Sequence, residues 1–313
     1  AVIKPIVKAV GCLFYALTLG LIGLVVHDIA DPYFATIARE VQQQVFASQS
    51  QVLLTQTDRE IDTEIRALRS LIAQQVDALV LVGSHRYGTE SDAAISALLE
   101  GFERNGGTVV GLGQALGMGR TIVPDNAAAA HELATALVVE GHRRFAVVEG
   151  VAGIPSAGDR TGGFVAALTE AGIEPELSIA ADLTREGGLS LAAQVDEHLA
   201  SAPAAEGPLC VFAPADVMAL GALGELRRRD LDVPQQVAVA GFGGVSGAAD
   251  ANPTLTTIAL PLADMARQAV EWVLGRPAAD DEAPSAPDQE LPHQIHVRGD
   301  VLLRESTALA ART

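Results

Sequence analysis

Leu21–Phe34 reads LIGLVVHDIADPYF, and its first six residues are all apolar or glycine. A run of that length without polar alternation reads as a strand buried on both faces, the habit of parallel sheets. The strand candidate is Gly20–Val26. It gives way to the polar pair His27-Asp28 and then to an amphipathic stretch over Pro32–Val45. Strand, polar loop and helix in that order open a βαβ unit.

The same order recurs down the chain. Further strand candidates are Gln51–Thr55, Ala78–Val82, Thr108–Gly111, Phe145–Glu149, Leu209–Ala213 and Val237–Gly241. Helical periodicity marks Glu60–Gln74, Ala127–Glu140, Gly162–Ala171 and Asp216–Arg229. Asp58 and Glu60 give the second helix an acidic start, favourable at the positive end of its dipole. Polar loops follow the strand ends at His27-Asp28, Thr57-Asp58, Ser84-His85, Ser156–Arg160 and Pro214–Asp216. Ligands of open parallel sheets sit at the carboxyl ends of strands, so these loops are expected to face one site. Across Gly275–Pro292 the sequence turns rich in Pro, Ala, Asp and Glu, which reads as a solvated loop before a last strand.

Composition agrees with an α/β class. The 313 residues are 49% hydrophobic but only 4% aromatic, enough apolar mass for one large or two medium cores of helices on parallel sheets. The net charge of -18, without a basic stripe, excludes unaided nucleic-acid binding. Cys12 and Cys210 lie far apart with no CxxC spacing, so neither a disulfide framework nor a zinc site is implied, and a reducing cytoplasm is expected. One stretch, Ala9–Val26, carries no charge and follows Lys4 and Lys8. It reads either as an irregular leader running into the first strand or as a targeting segment.

Signatures of catalysis are missing. The sequence has no phosphate-cradling GxxxxGK[ST] and no GxSxG nucleophile elbow. Val237–Gly247 (VAVAGFGGVSG) is glycine-rich after a strand but lacks the GxGxxG context of a dinucleotide site. His293 and His296 point to opposite faces of an extended segment, a poor start for a metal site. Arg227–Arg229 ends a helix, where cations complement the dipole. No enzyme activity, cofactor or metal is expected.

Several segments together resemble the effector-binding region of the lactose-repressor (LacI/GalR) family of bacterial transcription regulators. Leu21–Phe34 is similar to that family's first strand and turn, and Ile72–Val82 (IAQQVDALVLV) to its third-strand entry, with Ala78 in place of glycine. Val123–Asn126 (VPDN), Glu140–Phe145 (EGHRRF) and Arg160–Phe164 (RTGGF) follow in family order. So do Phe212–Leu223 (FAPADVMALGAL), Val233–Phe242 (VPQQVAVAGF), Pro253–Ile258 (PTLTTI) and Leu303–Ala308 (LRESTA), the last resembling the closing strand.

The resemblance implies a type I periplasmic-binding-protein fold of two Rossmann-like lobes, with parallel sheets flanked by helices and three crossings. These are expected near Val123, Ile258–Pro261 and Leu303–Arg304. The first lobe would hold 19–122 plus 259–303, the second 123–258 plus 304–313, and 1–18 would be a leader or hinge remnant. A helix over Leu262–Leu274 has to return to the first lobe. The resemblance assigns ligand contact to Arg160, whose planar fork suits hydroxyls or carboxylates, and to Asp216. Asp28, Asp31, Tyr33, Phe34, Asp58, Ser84, His85 and Ser156 complete the candidates. Ala215 and Gly243 stand where the family has polar partners for a sugar, so an ordinary hexose is not the default effector.

Residues 1–18 contain no helix-turn-helix, and the expectation is a fragment of a longer regulator. Its function would be to sense a small effector, dimerise and control DNA binding allosterically, in the cytoplasm, with operator DNA reached only through a helix-turn-helix outside this chain and no membrane partner. The alternative is an exported solute-binding protein of a transporter, which shares the fold.

Overall fold

The computed structural model describes residues 20–83, 90–149, 154–201, 207–275 and 294–309. Two six-stranded sheets organise them. The first contains β1 (Leu21–Val26), β2 (Gln51–Gln56), β3 (Ala78–Val82), β4 (Thr108–Leu112), β5 (Arg120–Pro124) and β11 (Gln294–Val297). Its spatial order is β11-β5-β4-β3-β1-β2, and every pair is parallel. The second contains β6 (Arg144–Val148), β7 (Leu177–Ile179), β8 (Leu209–Phe212), β9 (Val237–Gly243), β10 (Thr256–Ala259) and β12 (Asp300–Leu302), in the order β12-β10-β9-β8-β6-β7. Only β12 runs antiparallel, against β10.

The central strands are the continuous apolar runs of the sequence. Ala78–Val82 and Leu209–Phe212 are buried throughout, as strands covered by helices on both faces must be. Helices α1 (Pro32–Ala47), α2 (Ile61–Ala73) and α3 (Glu90–Arg104) follow the first three strands; α4 (Asn126–Glu140), α5 (Pro155–Glu170), α6 (Arg185–Ser201) and α7 (Asp216–Arg228) cover the second sheet, where α8 (Gly247–Asp250) adds one turn. After the second sheet, α9 (Leu262–Val273) packs on α1 and β4, so the chain returns to the first lobe as its sequence required. Glycine brings two helix pairs into backbone contact. A Cβ on Gly163 would lie 2.1 Å from the Ala127 carbonyl oxygen, joining α5 to α4; one on Gly188 would lie 2.1 Å from the Met218 carbonyl oxygen, joining α6 to α7.

Three passages join the lobes, after β5, after β10, and between β11 and β12. They lie side by side: Asp125 N–H donates to the Val297 carbonyl at 2.9 Å, and a Cβ on Gly299 would meet Ile258 Cγ2 at 2.5 Å. The third passage is thus at Arg298-Gly299 rather than at the Leu303–Arg304 expected from sequence. The closing strand also differs from expectation. Asp300–Leu302 forms it, and Glu305–Thr307 is a 3-10 turn. Side chains there replace a backbone ladder. Glu305 Oε2 accepts the Thr254 N–H at 3.0 Å, Ser306 Oγ accepts the Thr256 N–H at 2.8 Å and donates to the Val239 carbonyl at 2.6 Å. The leader, the Gly275–Pro292 loop beyond Gly275, and Cys12 lie outside the described residues; Cys210 is a buried thiol whose pKa burial raises.

Candidate functional site

The carboxyl ends of both sheets face each other across a cleft lined from both lobes. The first lobe lines it with Asp31, Tyr33, Phe34, Arg59, Gly83 and Gly113. Each follows the end of a strand from β1 to β4, as the rule for open parallel sheets demands.

Asp31 caps α1. Its carboxylate accepts the Tyr33 N–H at 2.9 Å, ahead of Pro32 at the first helical position. Burial pushes its pKa above the usual carboxylate value. Fixing that cap sends Tyr33 and Phe34 into the cleft, with ring centroids 5.1 Å apart at 85°. Phe34 also meets His27 edge-on at 5.5 Å, and His27 Nδ1 pairs with the Thr57 hydroxyl at 3.0 Å. After β2 the backbone takes two successive left-handed residues, Asp58 (φ 52°) and Arg59 (φ 57°). That turn brings the Arg59 guanidinium to 5.8 Å from the Phe34 ring centroid.

From the second lobe come Ser156 and Arg160 on α5, Ala215 and Asp216 at the start of α7, Phe242 near the end of β9 and Val245 after it. Arg160 is held rigidly. Its Nε donates to Asn126 Oδ1 and its Nη1 to the Pro214 carbonyl, both at 2.8 Å, and its guanidinium lies 4.1 Å from the Phe242 centroid. Burial lowers its pKa to about 10, so it stays charged at neutral pH. A guanidinium has five N–H donors, and these two bonds leave three for the cleft.

Asp216 has a different part. Its Oδ1 accepts the Thr257 hydroxyl at 2.6 Å and its Oδ2 the Val245 N–H at 3.0 Å, with Gly244 N–H bonding it as well. The carboxylate therefore braces the cleft floor while its backbone starts α7. Asp28 and Asp58 do not line the cleft: Asp28 accepts the Ala30 N–H at 2.8 Å and exposed Asp58 accepts from Gln56 Nε2 at 2.6 Å, so each shapes its own loop. Ser84 and His85 lie outside the described residues. The cleft thus brings together Asp31, Tyr33, Phe34, Ser156, Arg160 and Asp216 of the sequence candidates. Arg59, Asn126 and Phe242 were not among them. Arg59 sat next to a named candidate, and Asn126 closed the quoted VPDN motif.

The arrangement offers hydrogen-bond donors and ring faces that can bind a ligand. Among the described residues no cluster of three His, Cys, Asp or Glu side chains is placed to hold a metal ion, and no helix is long and apolar enough to cross a membrane.

A periplasmic binding protein-like domain family matches residues 134–300. The HTH-type transcriptional repressor CytR of Escherichia coli K12 is 30% identical over 262 residues, covering 80% of this chain and 71% of the repressor. A LacI-family transcriptional regulator of Burkholderia phymatum superposes with a TM-score of 0.73 at 25% identity, over 93% of this chain and all of that one. A LacI-family regulator of Lactobacillus casei solved with bound sucrose gives 0.72 at 25% identity, over 92% and 99% of the two chains. These relatives are transcriptional regulators, which weighs against the transporter alternative. The chain belongs to the LacI/GalR family of transcriptional regulators, of which it forms the periplasmic-binding-protein-like, effector-sensing region.

Proposed function

We propose that a small polar effector binds in the interlobe cleft with Arg160 as its anchor, and that the domain acts as a sensor and not as an enzyme. The observation that carries this reading is the immobilisation of Arg160 by Asn126, the Pro214 carbonyl and Phe242, with three donors remaining. A planar fork held in place loses little entropy when it grips a ligand. Because the cleft is made from both lobes, an effector that fits one lobe spacing better than another shifts the balance between them. In a homodimer that shift would alter the separation of the first lobes, and with it the grip of a helix-turn-helix on operator DNA in the cytoplasm.

The test is calorimetry of the chain against a panel of sugars, nucleosides and carboxylates. Arg160→Ala should weaken the ligand found by about a hundredfold or more, from two charge-assisted bonds of about 1.5–3 kcal/mol each. Unchanged affinity would remove Arg160 from the site.

A further inference from the structure

We propose that the effector is a small amphiphile, an apolar, hydroxyl-poor body bearing one carbonyl or carboxylate. The acceptor is shared between Arg160 of the second lobe and the Tyr33 phenol of the first, while the body lies on an aliphatic wall. The inference rests on the cleft being the effector site and deepens that reading.

Most polar groups lining the cleft are engaged within the protein. Asp216 turns its two oxygens to Thr257, Val245 and Gly244. Asp31 gives one oxygen to the Tyr33 N–H, and burial favours its neutral acid, a poorer acceptor than the carboxylate. Arg59 and Ser156 already have partners of their own. Arg160 keeps three N–H groups beyond its bonds to Asn126 and Pro214. Tyr33 keeps its phenol hydroxyl, which stands 3.5 Å from the position that a Cβ on Gly113 would take, past the end of β4. Tyr33 and Arg160 lie close enough for each to shift the other's ionisation. An acceptor placed between them takes an N–H from one lobe and an O–H from the other.

Much of the remaining lining is apolar. Ile154, Leu183, Val217 and Val245 come from the second lobe, where Ile154 and Leu183 belong to a small hydrophobic cluster of their own. Phe34 and Phe242 add two rings. A polyol set against this wall buries hydroxyl protons without acceptors, each at a cost comparable to a lost hydrogen bond. Hydrocarbon in the same place is favoured in proportion to the area it covers. One acceptor at the head and hydrocarbon behind it match both parts of the cleft.

Calorimetry of the full chain with matched pairs tests this: cyclohexanecarboxylate against glucuronate, and cyclohexanecarboxamide against glucuronamide. Head group and ring size match within each pair, and the body changes from hydrocarbon to polyol. The hydrocarbon member of at least one pair should bind at least about tenfold tighter, and the tighter of the two hydrocarbon members identifies the head. Tyr33→Phe, which keeps the ring and removes only the hydroxyl, should weaken that ligand about two- to tenfold. Val217→Thr, which adds a hydroxyl to the wall, should narrow the preference about threefold or more. Melting temperatures of both variants report whether the fold is intact. No preference for the hydrocarbon member in either pair, an affinity unmoved by Tyr33→Phe, a preference unmoved by Val217→Thr, or failure of both hydrocarbon members to bind at millimolar concentration would overturn the proposal. Arg160→Ala separates the two readings. If a hydrocarbon member binds but Arg160→Ala leaves its affinity unchanged, the cleft assignment itself fails; if a polyol binds tighter and is lost in Arg160→Ala, the cleft stands and the amphiphile does not.

Discussion

Asp216 Oδ1 accepts the Thr257 hydroxyl at 2.6 Å, tying the first residue of α7 to β10 across 41 residues of sequence. The same carboxylate holds Val245 and Gly244 N–H groups, so one side chain fastens a helix start, a strand and the turn after β9. Asp216→Ala leaves those donors buried without an acceptor, at about 1–3 kcal/mol each before relaxation. A net loss of about 3–5 kcal/mol is expected in urea denaturation. Asp216→Asn is expected to lose less, because its amide oxygen serves Val245 while the Thr257 hydroxyl turns to accept from the NH₂. Effector affinity should fall far less in Asp216→Asn than in Arg160→Ala; equal losses would make Asp216 a ligand contact after all.

That brace also explains Gly241. A Cβ there would stand 2.3 Å from Asp216 Oδ1, inside contact distance. Gly241→Ala should destabilise the domain by roughly 1–3 kcal/mol, the usual cost of overpacking a buried site. Chemical denaturation measures it, and an unchanged midpoint would mean that the carboxylate moves freely.

Neighbouring glycines on α5 make a sharper comparison. Gly162 is exposed and a Cβ there meets nothing within 4 Å, so Gly162→Ala should stabilise the helix by about 0.5–1 kcal/mol. One residue on, Gly163 would press its Cβ to 2.1 Å from the Ala127 carbonyl oxygen, and backbone cannot step aside cheaply. Gly163→Ala should therefore lower the melting temperature while Gly162→Ala raises it. Shifts of the same sign in both would refute the close α4–α5 contact.

What the sequence disclosed follows burial. β1, β3, β8 and β9 are apolar runs because helices cover both faces, and each was legible. The strands missed are β5, β7, β10 and β12. Of these, β7 and β12 have three residues each at sheet edges, while β5 and β10 lie inside their sheets but are only five and four residues long, too short for periodicity to mark. β11 is the last strand expected after the Gly275–Pro292 loop. Arg160 was legible because its motif is local. The brace role of Asp216 was not, since Thr257 comes from a distant strand, and Arg59 needed a left-handed turn that no periodicity announces.

His142 makes stability depend on pH. Its Nε2 donates to the Thr307 carbonyl at 2.9 Å, and among the described residues Nδ1 is buried with no hydrogen-bond partner. Protonating Nδ1 would bury an unmatched cation, and burial accordingly holds the pKa below the ordinary 6.5. The unfolded chain then binds a proton more readily than the folded one, so stability rises with pH through this window. The contribution is complete above about pH 6.5 and is lost as pH falls toward the lowered folded value. In His142→Gln the slope of unfolding free energy between pH 5 and 7 should flatten by this one group, and an identical slope would show that His142 does not cause it.

Phe46 at the end of α1 is 80% exposed, and Ile29 and Leu54 beside it are 41% and 44% exposed. Together they make an apolar face where α1 meets β2, one of the two edge strands of the first sheet. Exposed apolar patches beside a sheet edge are unusual on monomers and mark association surfaces. If this face carries the homodimer, sedimentation velocity should find a dimer for the wild type and a dissociation constant raised at least about tenfold by Phe46→Asp, as for a contact worth about 1.4 kcal/mol or more. Effector binding and folding of the monomeric variant should persist, since the cleft lies at the strands' carboxyl ends and the residues lining this face are not among those lining the cleft. A wild-type monomer, or a dimer indifferent to Phe46→Asp, would exclude this face as the interface.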